Sequence, residues 1–205
     1  MINTILSNST SELEVKKSKF IANIIKIIDE QDAKEKLDQI RKKYSDARHN
    51  CYAYIVYDNE SKTKIEKSSD DREPSGTAGI PILTLLQKNH LVNVLIVVTR
   101  YFGGILLGTG GLVRAYTDSS KQALENAQII ELKYGELLEY YIEYDEFEYF
   151  KYICEKNNIE IINAEYSSNV KAVIKIKEDD KTLFSTYKCR IIERNVILWY
   201  LKIGK

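Results

Sequence analysis

A glycine-rich turn between an apolar strand and a helix is the strongest chemical signal in the sequence. It reads RYFGGILLGTGG over residues 100–111. Glycine adopts backbone conformations that other residues avoid, and a turn of this kind that enters a helix presents N–H groups suited to phosphate or carboxylate. Arg100 and Arg114 bracket the turn and could add bidentate charge. The pattern predicts an anion-binding turn.

The same turn also has a purely structural interpretation, in which its glycines let the helix pack closely on the sheet. The sequence has neither the Gly-Lys-Ser/Thr of a nucleotide P-loop nor the G-x-G-x-x-G of a dinucleotide site. The spacing therefore leaves open whether this turn binds a ligand or only shapes the fold.

An acidic segment, SSDDREPSGTAG over residues 68–79, is the second signal. Asp70, Asp71 and Glu73 place three carboxylates within four positions. Such a cluster suits either a hard cation or the start of a helix, whose dipole favours negative charge. Because the spacing of an EF-hand loop is absent, capping is favoured and no metal site is predicted.

A third segment, DARHNCYAY over residues 46–54, contains a histidine and a cysteine two positions apart. On a strand His49 and Cys51 face the same way, about 7 Å apart, which does not suit the hydrogen-bonded pair of a cysteine nucleophile. The sequence therefore favours a non-enzymatic protein, predicts no cofactor, and leaves Arg48, Arg100 and Arg114 as recognition groups.

Composition limits the class of protein. The 205 residues include 30 basic and 30 acidic side chains, and a net charge of zero argues against coating nucleic acid by bulk charge. Nine glycines and two prolines exclude collagen-like and disordered classes. Three cysteines without a C-x-x-C motif favour a reducing compartment. No signal peptide or membrane-length apolar run is visible, so we expect a cytoplasmic protein without a membrane partner.

Hydrophobic periodicity predicts a mixture of strands and helices in the first part of the chain. Asp29 is the predicted cap of the first helix, and Pro81 fits the first turn of the second. The run 93–100 is apolar throughout, which is typical of a strand buried on both faces. The predicted strands are 2–6, 11–16, 19–27, 51–57, 63–68 and 93–100. The apolar stripe of the first predicted helix is Ala33, Leu37, Ile40 and Tyr44, and the second helix is expected to begin near Thr77. The inner face of the third predicted helix is Leu112, Tyr116, Ser119, Ala123 and Ala127.

The amino-acid composition changes near residues 130–134, where we expect the boundary between domains 1–130 and 134–205. Glycine almost disappears beyond it, and tyrosine supplies nine of the last 73 residues. The second part has the β-α-β-β-α-β order of a ferredoxin-like domain. Its predicted elements are a strand with Tyr140, Ile142 and Tyr144, a helix with Phe147, Phe150 and Cys154, strands 159–166 and 170–177, a helix from Asp179 with Leu183 and Tyr187, and a strand over 191–203.

Four segments together resemble the IMPACT/YigZ family. The resemblance covers residues 15–125 and implies a ribosomal-protein-like βαβ domain, with a mixed sheet and helices, followed by a ferredoxin-like domain similar to the last domain of elongation factor G. The fold class expected is therefore α+β. The segments are KKSKFIA (16–22), ARHNCYAY (47–54), SDDREPSGTAGIP (69–81) and VVTRYFGGILLGTGGLVRAY (97–116).

The resemblance also implies a function, since eukaryotic relatives regulate translation by competing for a partner of a stress-responsive initiation-factor kinase. We expect a non-enzymatic, translation-associated regulator that binds RNA, the ribosome or a translation-factor partner through its first domain. An enzyme or sensor for a small phosphorylated or carboxylated ligand at the glycine-rich turn, and a pure protein–protein adaptor, remain alternatives; oligomeric state is left open. The predicted ligand or nucleic-acid site comprises Arg48, His49, Arg72, Arg100, Tyr101, Gly103, Gly104, Gly108, Gly110, Gly111 and Arg114.

One departure from the family pattern falls within the acidic segment. The motif commonly reads Asp-Asp-Gly-Glu, and this chain has Arg72 in the glycine position. If that position requires a positive φ, arginine introduces strain or a different turn. A basic residue common in relatives is replaced by Ile80. We expect Arg72 to face solvent on a loop beside the glycine-rich turn, where it adds basic charge.

Overall fold

A computed structural model describes residues 2–58 and 63–199. The chain divides into two compact units, Met1–Glu131 and Leu132–Lys205. The division falls inside a continuous strand rather than in a loop. In chain order the elements are β1 (Ile2–Ile5), β2 (Ser9–Val15), β3 (Ser18–Lys26), α1 (Glu30–Lys43), β4 (His49–Asp58), β5 (Thr63–Ser69), α2 (Gly79–Lys88), β6 (Val94–Tyr101), α3 (Gly108–Asn126), β7 (Ile129–Ile142), α4 (Phe147–Lys156), β8 (Ile161–Tyr166), β9 (Val170–Ile176), a 3₁₀ helix (Asp179–Phe184) and β10 (Lys188–Trp199).

The sheet of the first unit has the strand order β2–β3–β6–β4–β5. The α+β class is confirmed, but the expected mixed sheet is corrected, because the four pairings along this order are all antiparallel. Helices cover both faces of the central strand. Leu95 and Val97 pack with α1, while the opposite face of the strand lies against α3. The apolar run of β6 follows from this double cover.

Helix α1 forms as its sequence predicts. Asp29 is its N-cap, and the carboxylate accepts a hydrogen bond of 2.7 Å from the N–H of Asp32. Ala33, Leu37 and Ile40 are buried against the sheet. Helix α2 starts at Gly79, two residues later than predicted, with Pro81 in its first turn.

Helix α3 follows the glycine-rich turn and buries the predicted side chains of Leu112, Tyr116, Ser119 and Ala123. The ring of Tyr116 meets Phe20 of β3 edge-to-face, with centroids 5.2 Å apart. Ala127, expected on the same face, is instead the C-cap with extended backbone. The helix therefore ends at Asn126, one residue before the last position of its apolar pattern.

The second unit is ferredoxin-like, as predicted. Its strands pair in the order β8–β9–β7–β10 and each pairing is antiparallel. The core is aromatic: Phe150 lies 5.5 Å from Tyr140 and 4.7 Å from Phe184 between ring centroids. The second predicted helix is corrected to the short 3₁₀ helix, which buries Phe184 and leaves Leu183 40% exposed. Residues 200–203 of the predicted last strand lie outside the described residues.

Candidate functional site

Arg100, predicted as a recognition group, is buried. Its side chain is 7% exposed, and Nη1 donates a hydrogen bond of 2.6 Å to Oε1 of Glu73, whose side chain is 4% exposed. The guanidinium also lies over the rings of Phe20 and Phe102, at 5.5 and 5.6 Å from their centroids. Its charge is therefore neutralised inside the protein, and the structure removes Arg100 from a solvent-facing anion site.

Glu73 also receives the hydroxyl of Tyr116, which donates to Oε1 over 2.9 Å. On the other side, Sγ of Cys51 lies 3.3 Å from that hydroxyl oxygen. Burial raises the pKa of Cys51 to about 12 and raises the pKa of Tyr116 far above its usual value. Both groups stay protonated at neutral pH. The cluster of Cys51, Glu73, Arg100 and Tyr116 holds elements together and presents no activated nucleophile.

His49 does not pair with Cys51. Its Nδ1 lies 2.9 Å from the carbonyl oxygen of Asp71, so the ring turns toward the acidic loop. The adjacent N–H of Asn50 donates to a carboxylate oxygen of Asp71 over 2.6 Å. These bonds fasten the start of β4 to the loop that precedes α2.

Asp70 caps the start of α2 from a distance. Its two carboxylate oxygens accept the N–H groups of Gly76, Ala78 and Gly79 over 2.8 to 2.9 Å. Burial alone would raise the pKa of Asp70, but these three donors outweigh it and lower the pKa below its ordinary value. Among the described residues, no group of three His, Cys, Asp or Glu side chains is placed to hold a metal ion. The acidic cluster is used for capping and pairing.

Arg72 occupies a position with positive φ. Its φ is +71° and that of Asp71 is +38°, so the turn runs through the left-handed region that favours glycine. The side chain is 75% exposed, as expected, and Nη2 donates 2.7 Å to the carbonyl oxygen of Arg48. The glycine of the family motif thus has a conformational reason, and arginine in its place adopts the same turn.

The glycine-rich turn is packed against the first hairpin. Gly103 donates its N–H to Oγ of Ser18 over 3.1 Å, and a Cβ at this position would overlap the backbone of Lys17. Gly104 and Gly108 have φ of +86° and +71°. The glycines of the turn therefore have a structural role, because they allow close packing on the hairpin and positive φ angles.

Part of the predicted anion site remains at the start of α3. Gly108, Gly110 and Gly111 lie in its first turn, which no side chain of the described residues caps. Arg114 is exposed one turn further along, and Arg48 is exposed directly before β4, where its carbonyl oxygen accepts from Arg72 of the acidic loop. Tyr101 is engaged elsewhere, because its hydroxyl donates 2.7 Å to Asp46.

The turn also exposes apolar side chains that are not among the predicted site residues. Phe102 is 50% exposed, Ile105 43% and Leu106 83%. The signal was present in the sequence, since Ile-Leu-Leu stands between glycines in a loop rather than in an element with a core face. We call Phe102, Ile105 and Leu106 the turn patch.

An apolar groove lies between α2 and α3 in the same unit. Its volume is about 400 Å³, and Ile80, Pro81, Leu85 and Val113 line it together with Lys88. Ile80 is 53% exposed and contributes apolar surface to the groove. The described part of the chain has no helix long and apolar enough to cross a membrane.

Fold and site together define a two-domain α+β protein with a ferredoxin-like second domain and a glycine-rich turn fastened by a buried ion pair. Residues 16–124 match the Impact N-terminal domain, and residues 142–186 match a domain of unknown function, DUF1949. The chain belongs to the IMPACT family, which confirms the resemblance seen in its motifs.

Two curated relatives and one solved structure are similar over most of the chain. The IMPACT family member YvyE of Bacillus subtilis is 35% identical over 184 residues, covering 90% of this chain and 83% of that protein. An IMPACT family member of Haemophilus influenzae is 34% identical over 195 residues, covering 95% and 94%. The crystal structure of a hypothetical protein aligns with a TM-score of 0.63 and 30% identity, covering 94% of this chain and 97% of that one. The similarity therefore extends across both units.

Proposed function

We propose that this chain is a non-enzymatic, translation-associated regulator whose first unit binds a protein of the translation apparatus through the turn patch. Membership of the IMPACT family supports the link to translation, because eukaryotic relatives in this family regulate translation. The observation that carries the mode of binding is the exposure of Leu106, 83%, on a turn that is otherwise fastened to the fold.

The turn patch suits a protein partner because its apolar side chains are held on a fixed loop. Gly103 packs against the hairpin, and the buried ion pair of Arg100 and Glu73 lies directly before the turn. Apolar surface that is already ordered loses little conformational entropy on binding. Exposed apolar groups grouped on one loop mark interaction sites more often than isolated ones.

Nucleic-acid binding has less support at this site. Of the four arginines in the predicted site, Arg100 has its charge paired and buried. Affinity for a phosphate backbone grows with the number of cationic contacts, so the loss of the central arginine weakens that interpretation. The enzyme alternative has less support still, because the raised pKa values of Cys51 and Tyr116 keep both groups protonated.

A cell-free translation extract tests the proposal with the full chain. A photoreactive amino acid at Ile105, which is 43% exposed, is introduced into the otherwise wild-type chain and into each variant and reports which molecule lies against the turn. Leu106→Asp removes the apolar contact. Ile28→Asp is the matched control, because Ile28 is also exposed, 71%, but lies before α1. We expect wild type and Ile28→Asp to alter protein synthesis and crosslink to a ribosomal protein or translation factor. Leu106→Asp should lower both effects about 10-fold or more, as at a central interface residue.

Two outcomes contradict the proposal. In one, Leu106→Asp behaves as wild type in both measurements. In the other, the crosslink forms with RNA and binding depends on Arg48 and Arg114 and weakens steeply with salt, which would identify a phosphate backbone as the ligand.

A further inference from the structure

The outer face of α4, in the second unit, carries two exposed tyrosines that stack on each other. Tyr149 is 61% exposed and Tyr152 54%, and their ring centroids are 6.2 Å apart with 25° between planes. The inner face of the helix buries Phe147, Phe150 and Cys154 in the core. The outer pair is therefore additional aromatic surface that the core does not use, and tyrosine is enriched at binding interfaces.

Cationic side chains of the helix already lie over its rings. Nζ of Lys156 is 5.8 Å from the centroid of Tyr152, and Nζ of Lys151 is 5.2 Å from that of Phe147. Lys151 is also held by Glu148, with Nζ and Oε1 2.6 Å apart. The ring of Tyr152, which is 54% exposed, is thus accessible to ammonium and guanidinium groups, which the ring quadrupole attracts.

The surroundings of the tyrosine pair are acidic. Residues 143–156 contain five acidic side chains and two lysines, a net charge of −3. On the helix, Glu148, Tyr152 and Glu155 lie one above another, because residues three and four apart share a face. Such a surface attracts cationic segments and repels the phosphates of nucleic acid. The five acidic residues, all exposed, are Glu143, Asp145, Glu146, Glu148 and Glu155.

We propose that the outer face of α4 binds an arginine-rich segment of a partner protein. Guanidinium groups stack on tyrosine rings and form two parallel hydrogen bonds with a carboxylate, so arginine matches both features of this face better than lysine does. The incoming arginine takes the place that Lys156 occupies over Tyr152. This surface is separate from the turn patch and does not depend on it.

Fluorescence anisotropy of the full chain with labelled nona-arginine tests the proposal. The double variant Tyr149→Ala/Tyr152→Ala should bind about 10-fold more weakly, whereas Tyr149→Phe/Tyr152→Phe keeps the rings and the affinity. Ile162→Ala is the control, because it removes exposed apolar surface, 44%, from β8 of the same unit. Nona-lysine should bind more weakly than nona-arginine to the wild type. Equal affinity of wild type and the double alanine variant for nona-arginine would overturn the proposal.

The variant Lys156→Gln separates a basic peptide from a nucleic acid by the sign of its effect. It removes the competing cation and makes the face more negative, so affinity for nona-arginine should rise about 2- to 3-fold. An oligouridine that binds the wild type more tightly than nona-arginine, loses affinity in the double alanine variant and loses it again in Lys156→Gln would assign the face to RNA. That result would refute the proposal.

Discussion

Nη1 of Arg100 and Oε1 of Glu73 lie 2.6 Å apart in an ion pair that solvent barely reaches, with the two side chains 7% and 4% exposed. Arg100 belongs to the central strand β6 and Glu73 to the loop before α2. Because Tyr116 of α3 donates to the same carboxylate oxygen, one acidic group ties three elements of the first unit together. The charges of this pair serve the fold.

Replacing Glu73 by alanine should lower the free energy of unfolding by about 3–5 kcal/mol, because the guanidinium of Arg100 then stays buried without its counter-charge. Urea denaturation of the full chain measures this loss. The double variant Glu73→Ala/Arg100→Met removes both charges, and we expect it to lose less than the two single variants added together. Strictly additive losses would show that the pair contributes no coupling.

Arg72→Gly should raise stability. A non-glycine residue in the left-handed region costs about 1–2 kcal/mol, and the φ of Arg72 is +71°. Glycine also makes the unfolded chain more flexible, which offsets part of this gain. The net increase in the free energy of unfolding should therefore be about 0.5–1 kcal/mol. Arg72→Ala is the control, since it loses the same hydrogen bond to Arg48 but keeps the strain. Equal thermal midpoints for the glycine and alanine variants would contradict the backbone explanation.

Asp70→Asn should destabilise the protein at neutral pH by about 1–3 kcal/mol. The substitution replaces one carboxylate oxygen by an NH2 group, which cannot accept the hydrogen bond from Gly76 or, in the other orientation, those from Ala78 and Gly79. The pKa of Asp70 is lowered in the folded protein. A carboxyl with a depressed pKa stabilises the fold above its unfolded pKa, and this stabilisation is lost as the pH falls through the folded pKa. The difference between wild type and variant should therefore narrow below about pH 4. Urea denaturation at several pH values measures it, and a constant difference would disprove the charge effect.

Gly103 and Gly110 should respond in opposite directions to alanine. A Cβ at Gly103 would overlap the backbone of Lys17, so Gly103→Ala should cost about 1–3 kcal/mol or more. Gly110 lies in α3 with open space where a Cβ would be, so Gly110→Ala should gain up to about 1 kcal/mol through helix propensity. Thermal unfolding of the two variants compares them. Similar losses at both positions would show that the close approach of Gly103 is not the cause.

Local signals allowed part of this fold to be predicted. The cap at Asp29 and the stripe of α1 depend on neighbours within one or two turns, and both appear in the structure. The order of the second unit was also predictable, because buried and more exposed residues alternate along much of β7 and throughout β9. Its last helix was not, because six residues around Phe184 are too few for a helical period to reveal which side chain is buried.

The burial of Arg100 required information from far along the chain. Its partner Glu73 lies 27 positions away, and residue type alone favours a solvent-facing arginine. The strand period does indicate burial, since it places Arg100 on the same face as the buried side chains of Ile96 and Val98. The apolar run of β6 correctly predicted a strand buried on both faces, but it does not reveal strand direction. It is typical of parallel strands, but here helices on both faces of an antiparallel sheet produce the same pattern.

Helix α2 has no capping side chain at its own N-cap, Ala78, and borrows the carboxylate of Asp70 from eight positions upstream. The start of α2 therefore depends on the loop that precedes it, and the two form one structural unit. A chimera that takes α2 from this chain into an unrelated fold keeps the capped start of the helix only if residues 70–79 are transferred with it. A crossover inside that segment would separate the helix from the aspartate that caps it.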